Sequence, residues 1–244
     1  MANCIQLNTE ELEERGFVSV QSTRRLINEE YRAIKRKLLK NAFGALSSTL
    51  NNSNIIMVSS ARPGEGKTFT AVNLALSIAA EQDKTVLLVD ADVLRPNVSK
   101  TLRVEARDGL MEYLLDYKKD ISEVMYKTNI ETLRIIPAGS SHHLSTELLA
   151  SQKMHETIDE IASRYSDRIV IIDTPPLIGI NETAILTSFA SQAVVVTVEG
   201  KSRLSDISKA TAQLNPDMAV GFVVNKSIIS SNDQQGYYGY YYAN

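Results

Sequence analysis

The sequence predicts an α/β fold, a doubly wound domain built around a mostly parallel sheet. Short apolar runs rich in β-branched residues alternate with segments of helical periodicity along most of the 244-residue chain. Such runs are typical of strands that are buried on both faces of a parallel sheet. Alternation of strands with helices is in turn typical of the doubly wound class. The length is sufficient for one sizeable domain with a well-buried core.

The first predicted elements are a polar arm and a helix. Residues 1–22 contain clustered glutamates and predict an irregular arm. From about Thr23 to Ala42, apolar residues recur at helical spacing. A run of Ser, Thr and Asn over 47–53 ends this helix. The domain proper is therefore expected over residues 23–228.

Six apolar runs predict the strands of the sheet. They are Ile55–Val58, Val86–Val89, Leu133–Ile136, Ile169–Ile172, Ala193–Val196 and Val220–Val224. Two further segments, Lys67–Gln82 and about Gln152–Arg164, have the periodicity of helices. The first of these helices follows the first predicted strand after a glycine-rich turn.

This turn matches a phosphate-binding loop. Residues 61–68 have the sequence Ala-Arg-Pro-Gly-Glu-Gly-Lys-Thr, the Walker A pattern G-x-x-x-x-G-K-[ST] without its first glycine. The glycines allow backbone N–H groups to approach phosphate oxygens, the lysine brings a positive charge, and the threonine offers its hydroxyl to Mg²⁺. We therefore expect ATP and Mg²⁺ to bind here, at Pro63, Gly64, Glu65, Gly66, Lys67, Thr68 and Phe69.

Acidic residues end two of the predicted strands. Asp173 follows the fourth strand and precedes two prolines, which cannot extend a strand. Asp90 and Asp92 follow the second strand. Ligands bind at the carboxyl edge of such sheets, and Mg²⁺ prefers oxygen donors. We expect a metal site at this edge, formed by Thr68 with aspartates from among Asp90, Asp92 and Asp173, although a solvent-facing strand end is the alternative for any one aspartate.

The chain ends in a tyrosine cluster. Tyr237, Tyr238, Tyr240, Tyr241 and Tyr242 are half of the ten tyrosines in the sequence. A packed core gains nothing from such a cluster beside glycines at a terminus, and termini are often accessible. Alone, the cluster would be a low-complexity end, but beside a phosphate loop it is a candidate phosphate acceptor. We expect residues 229–244 to form a flexible tail.

Charge and composition limit the partners. A net charge of -3 gives no reason to expect nucleic acid. Cys4 is the single cysteine, so an intramolecular disulfide is impossible and a reducing compartment is expected. No secretory signal pattern opens the sequence, and no apolar run approaches the roughly 20 residues of a membrane span. We expect a cytoplasmic protein that depends on a partner for any membrane association.

Together, the motifs resemble those of one enzyme family. Asp90-Ala91-Asp92 after an apolar strand is similar to a Walker A′ element. With the phosphate loop, Asp173-Thr174-Pro175-Pro176 and the terminal tyrosines, it resembles the bacterial tyrosine kinases of exopolysaccharide assembly, in particular the exosortase-associated autokinases. The resemblance covers about Ile27 to Lys226 and the tail. It implies a P-loop NTPase fold of the MinD-like type and ATP-dependent phosphorylation of tail tyrosines, in trans between subunits.

The resemblance also implies roles at matching positions. Lys67 would bind the phosphates of ATP, and Asp90 would activate the attacking tyrosine. Asp173 would act at the metal, and Asp92 would act through the metal's shell. These four residues form the expected catalytic group.

Partners follow from the same resemblance. Glu29, Arg32 and Lys35 resemble an E-x-x-R-x-x-R segment that mediates contacts within ring-shaped oligomers of this family. The family further implies a membrane polysaccharide co-polymerase as activator and a cognate tyrosine phosphatase. Recruitment to the inner face of the plasma membrane would occur through the co-polymerase.

Three positions depart from the family pattern. Ala61 replaces the first Walker A glycine, at the position farthest from the phosphates. Lys35 replaces the second arginine of the oligomerisation segment, so a bidentate contact would be lost there. Leu94 stands where the Walker A′ element commonly has arginine, which leaves the role of the following Arg95 open.

The main alternative is a switch ATPase of the MinD/ParA class, in which water accepts the phosphate. Such proteins do not need a tyrosine tail, and many carry an amphipathic helix or a basic patch that this sequence does not clearly show. A non-catalytic nucleotide-binding adaptor is disfavoured because the Walker lysine, threonine and aspartates are all present. Asn225 follows the last predicted strand and is either a contact to the nucleotide base or a strand-end turn residue.

Overall fold

A computed structural model describes residues 4–21, 25–45, 47–106 and 108–227 of the chain. Its strands are β1 Cys4–Ile5, β2 Ile55–Ser60, β3 Thr85–Asp90, β4 Tyr126–Thr128, β5 Leu133–Ile136, β6 Arg168–Asp173, β7 Gln192–Val198 and β8 Ala219–Asn225. Its α-helices are α1 Thr9–Glu14, α2 Leu26–Phe43, α3 Lys67–Ala79, α4 Val98–Leu102, α5 Leu110–Leu114, α6 Ser145–Leu149, α7 Gln152–Ser163, α8 Asn181–Leu186 and α9 Leu204–Thr211. Within these residues, no helix combines the length and the apolar character that crossing a membrane requires.

The strands form one sheet in the order β1-β4-β5-β3-β6-β2-β7-β8. Neighbouring strands are parallel except β4 and β5, which are antiparallel. The predicted α/β fold class is therefore confirmed. The register places Asp90 at the end of β3 beside Asp173 at the end of β6, and both strands end near the β2–α3 loop. The sheet thus brings the predicted acidic residues and the phosphate loop to one edge.

Helices cover both faces of the sheet. Along β2, Ile55 and Met57 belong to one buried cluster, whereas Ile56 and Val58 belong to the other. This alternation follows from the period of two in a strand. The first cluster includes residues of α5, α7 and α9, and the second includes residues of α2, α3 and α4. α3 is buried almost all round because it lies between the sheet and α2.

The N-terminal segment is not the irregular polar arm that the sequence predicted. β1 pairs in parallel with β4, and Leu12 of α1 is buried. Phe17 packs on Phe69 with 4.8 Å between ring centroids, and Val18 N donates to Asn73 Oδ1 at 2.7 Å. The apolar residues here are too irregularly spaced to show a period, and only their tertiary contacts identify them as core. Residues 4–21 are therefore part of the domain.

Lys35 of α2 is buried and makes its contacts within the chain. Its Nζ donates to Ser77 O at 2.6 Å and pairs with Glu81 Oε1 at 2.6 Å. An ammonium at the last turn of α3 satisfies a free carbonyl and interacts favourably with the helix dipole. The predicted role of Lys35 in subunit contacts therefore disagrees with the structure, because this ammonium faces the interior. Glu29 and Arg32 pair with each other and remain partly exposed.

Replacing Lys35 with methionine is expected to lower the free energy of unfolding by about 1–3 kcal/mol, because a buried carbonyl loses its donor. Urea denaturation measures this loss. Lys37→Met on the exposed side of the same helix is the matched control and should change stability by less than about 0.5 kcal/mol. Equal stability of the two variants would show that the contact at the end of α3 contributes nothing.

Candidate nucleotide site at the carboxyl edge of the sheet

The loop between β2 and α3 has the backbone conformation of a phosphate cradle. Gly64 has φ 80° and Gly66 has φ 101°, in the left-handed region that favours glycine. A Cβ on Gly66 would lie 2.0 Å from Asn225 Nδ2, so a side chain there would displace the Asn225 amide. Gly66 is also the N-cap of α3, whose first N–H groups and dipole favour an anion at this position.

Side chains on the outside of the loop fix its shape. Glu65 Oε2 accepts a hydrogen bond from Arg62 N at 2.8 Å, and Glu65 Oε1 accepts one from the Ser202 hydroxyl. The Arg62 guanidinium makes two hydrogen bonds of 3.0 Å to the carboxylate of Asp206 in α9. These contacts with Ser202 and Asp206 hold the loop in the conformation of a phosphate cradle.

Lys67 and Asp92 form a buried ion pair at the inner end of the loop. Lys67 Nζ lies 2.6 Å from Asp92 Oδ2, with side chains that are 12% and 5% exposed. Asp92 Oδ1 accepts a hydrogen bond from Arg95 N at 3.1 Å. Two of the predicted residues are therefore in contact, and Arg95 contributes its backbone N–H to the site.

Thr68 and Asp173 form the second close contact of the site. Thr68 Oγ1 donates to Asp173 Oδ2 at 2.6 Å. Asp173 is fully buried, and its Oδ1 has no hydrogen-bond partner among the described residues. The pKa of Asp173 is raised to about 8, mainly by burial and also by the nearby carboxylates of Asp90 and Asp92, while Lys67 and the Thr68 hydroxyl oppose the rise.

This unpaired carboxylate oxygen fits a divalent cation. A hydroxyl and a carboxylate are oxygen donors of the kind that Mg²⁺ prefers, and Mg²⁺ usually completes its octahedron with water and substrate phosphates. In the part of the chain that the structure describes, no group of three or more His, Cys, Asp or Glu could hold a metal ion. The oxygen atoms of Thr68 and Asp173 suit a Mg²⁺ ion that takes its remaining ligands from water and the phosphates of a nucleotide.

Asp90 is buried and held by backbone hydrogen bonds. Its Oδ1 accepts from Asp92 N at 3.2 Å, and its Oδ2 accepts from Asn97 N at 3.1 Å and Val98 N at 3.0 Å. Burial raises the pKa of Asp90 to about 6, while these backbone donors oppose the rise. The carboxylate ties the end of β3 to the start of α4. Because the carboxylate is almost fully buried, access of a phenol to it requires movement of the surrounding backbone.

Two other predicted ligands make side-chain contacts within the chain. The Asn225 amide contacts the loop backbone, donating from Nδ2 to Glu65 O at 2.9 Å, and its contact to a nucleotide base stays a prediction. The side chain of Phe69 packs against the N-terminal segment. The tail tyrosines, Tyr237, Tyr238, Tyr240, Tyr241 and Tyr242, lie outside the described residues.

Sequence reasoning missed three residues that contact the loop. Ser202 and Asp206 are more than 130 residues from it in sequence, and no local pattern marks them. Lys226 Nζ donates to Gly64 O at 3.0 Å. Lys226 directly follows a parallel strand at the sheet edge where ligands bind, and this position was the one sequence signal that could have identified it.

Known sequences resemble this chain over most of its length. A family model described as an AAA domain matches residues 53–218. The tyrosine-protein kinase YwqD of Bacillus subtilis (strain 168) is 31% identical over 228 residues, covering 93% of this chain and 92% of that protein. The tyrosine-protein kinase CpsD of Streptococcus pneumoniae serotype 4 is 37% identical over 181 residues, covering 73% of this chain and 78% of that protein.

Solved structures share the fold. The chimerical protein CapA2B2 matches with a TM-score of 0.76 and 22% identity, covering 94% of this chain and 95% of that chain. The septum site-determining protein MinD from Pyrococcus horikoshii OT3, complexed with Mg-ADP, matches with a TM-score of 0.58 and 25% identity, covering 75% of this chain and 76% of that chain. The predicted likeness to MinD-type folds is confirmed.

Proposed function

Since this chain belongs to the bacterial tyrosine-protein kinases, we propose that it transfers the γ-phosphoryl group of ATP to tyrosines in the C-terminal segment of a second copy of the chain. The observation that carries the proposal is the buried arrangement of Lys67, Asp92, Thr68 and Asp173 beside a preformed phosphate loop. The acceptors would be the five tyrosines between residues 237 and 242.

Each part of the site has a role in this reaction. Backbone N–H groups of the loop and the Lys67 ammonium would hold the phosphates. Thr68 and Asp173 would hold Mg²⁺, with Asp92 acting through the ion's water shell, and bound Mg²⁺ would neutralise charge on the phosphate oxygens. Asp92 now pairs with Lys67, so this contact must loosen or be shared when Lys67 engages a phosphate.

The transfer needs an acceptor for one proton. The tyrosine oxygen bonds to the γ-phosphorus, the bond from that phosphorus to the bridging oxygen breaks, and ADP leaves. The phenolic proton would pass to Asp90, since burial brings the pKa of Asp90 to about 6, closer to that of an effective base near neutral pH. Since Asp90 is buried, this role requires the backbone around it to move so that a phenol can reach it.

We place this reaction in a homo-oligomeric ring, with each tail entering a neighbouring subunit. The partly exposed Glu29 and Arg32 of α2 would contribute to the subunit contacts. A membrane polysaccharide co-polymerase would recruit the cytoplasmic kinase to the inner face of the plasma membrane and activate it, and a tyrosine phosphatase would reverse the modification. The cycle would regulate exopolysaccharide synthesis or export. Family membership supports these steps.

A switch ATPase is the second candidate, and the likeness to MinD favours it. The two functions share the loop and the metal-binding residues and differ in the acceptor, which would be water instead of a phenol. Phosphate released into solution without phosphotyrosine would identify the ATPase.

A complementation experiment tests the kinase proposal and the trans reaction together. One variant carries Lys67→Met and an intact tail, and the other carries phenylalanine at Tyr237, Tyr238, Tyr240, Tyr241 and Tyr242. We expect phosphotyrosine on the Lys67→Met chain only when the two are mixed with Mg²⁺ and ATP. Phosphotyrosine in wild type but not in the mixture would contradict the trans step, and its absence from both would contradict the kinase proposal.

A further inference from the structure

The end of β8 holds the outer side of the phosphate loop. Asn225 Nδ2 donates to Glu65 O at 2.9 Å across a sequence separation of 160 residues. The next residue, Lys226, donates from Nζ to Gly64 O at 3.0 Å. Asn225 and Lys226 therefore each donate a hydrogen bond to one of two consecutive loop carbonyls.

The backbone at this point is shaped for the double contact. Lys226 has φ 56°, in the left-handed region that residues other than glycine seldom adopt. Lys226 N donates to Asn225 Oδ1 at 2.9 Å, which fixes the amide so that its nitrogen faces the loop. The chain thus turns sharply after β8 in a way that keeps both side chains on the loop.

Holding these carbonyls orients the opposite side of the loop. In a trans peptide unit, the C=O and the following N–H point in opposite directions. The carbonyl of Gly64 shares its peptide unit with the N–H of Glu65, and the carbonyl of Glu65 shares its unit with the N–H of Gly66. Among the described residues, neither N–H donates to a protein acceptor. Both are thus free to donate to an anion, as in a backbone nest.

We infer that Asn225 and Lys226 are positioning residues that turn the N–H groups of Glu65 and Gly66 toward the phosphates of the nucleotide. The inference rests on the proposed function, because it assumes that the loop binds ATP. On this inference, Asn225 and Lys226 contribute to binding of the triphosphate and not of the base. Asn225 and Lys226 act through the loop backbone and need no contact with the nucleotide themselves.

Binding of two ligands to the full chain tests this role. Asn225→Asp places an oxygen against Glu65 O, so the hydrogen bond is replaced by two facing acceptors. We expect this variant to bind both MgATP and magnesium tripolyphosphate about tenfold more weakly, measured by calorimetry. Lys226→Met, an exposed substitution with little effect on folding, should weaken both ligands to a smaller degree. Asn215→Asp, in an exposed turn before β8, adds the same charge and should leave both affinities unchanged.

The outcomes are distinct. Parallel loss of both ligands in the Asn225 and Lys226 variants supports the positioning role. Loss of MgATP alone, with tripolyphosphate unaffected, overturns it in favour of a base contact. Unchanged affinities for both ligands overturn it while leaving the proposed function intact. If wild type binds neither ligand, the proposed function fails, and this inference fails with it.

Discussion

Replacing Lys67 with methionine is expected to lower the rate of phosphotyrosine formation by about 100- to 1,000-fold, the loss typical of removing one preorganised group that stabilises a transition state. Lys67 is the cation at the inner end of the loop, and its buried position makes its charge more effective than it would be in water. The rate at saturating MgATP, followed with a phosphotyrosine antibody or by mass spectrometry, measures the effect.

Lys127→Met is the matched control for this variant. Lys127 is an exposed residue of β4, which lies four strands away from β2 in the sheet. The same change at Lys127 should leave the rate of phosphotyrosine formation unaltered. A Lys67→Met protein that retains wild-type activity would mean that the phosphates are not bound at this loop.

Asp173→Asn is expected to abolish kinase activity and, at the same time, to stabilise the ligand-free protein. The side chain is fully buried beside two other carboxylates, so its charged form is costly in the absence of Mg²⁺. Asparagine has nearly the same shape, and its oxygen can still accept the hydrogen bond from Thr68. We expect the variant to lose at least about a hundredfold in rate, because a neutral amide is a poor partner for a cation.

The direction of the pH dependence follows from the raised pKa. The Asp173 carboxyl binds its proton more tightly in the folded state, where its pKa is about 8, than in the unfolded state, where its pKa is near the ordinary 3.8 of an aspartate. Its stabilising contribution is therefore complete below the unfolded pKa and is lost as the pH rises through the folded pKa. Asparagine has no such loss, so the stability advantage of the variant should grow between about pH 4 and pH 8.

Denaturation of both proteins without Mg²⁺ or nucleotide measures this difference. We expect an advantage on the order of 2 kcal/mol or more at about pH 8, with little difference at about pH 4. Asp217→Asn, in an exposed turn, should show no growing difference. A stability gap that stays constant or shrinks as the pH rises would contradict the buried, protonated state of Asp173.

The sequence predicted the central strands and the loop because their signals are local. Val86–Val89 and Ile169–Ile172, for example, are continuous apolar runs, and the structure extends each by only one residue at either end, to Thr85–Asp90 and Arg168–Asp173. Parallel pairing then places Asp90 and Asp173 side by side, which a strand-end argument anticipates.

The contacts that differ from prediction depend on elements far apart in sequence. Lys35 is buried because α3 ends beside it, and nothing in the sequence of α2 indicates where the end of α3 lies. Asp90 is enclosed because the start of α4 lies over it, so a residue expected to face a substrate instead accepts backbone hydrogen bonds. Local patterns thus predicted which residues meet at the sheet edge but not how each side chain is engaged there.

Mass spectrometry of the C-terminal segment after incubation of the full chain with MgATP shows whether the tail tyrosines accept the phosphate. Simultaneous measurement of ADP and free phosphate gives the number of transfers to tyrosine and to water. We expect phosphate on tyrosines between residues 237 and 242 in wild type, in step with early ADP production, and at least about a hundredfold less in Lys67→Met. ADP production matched by free phosphate, with an unmodified tail, would contradict this expectation.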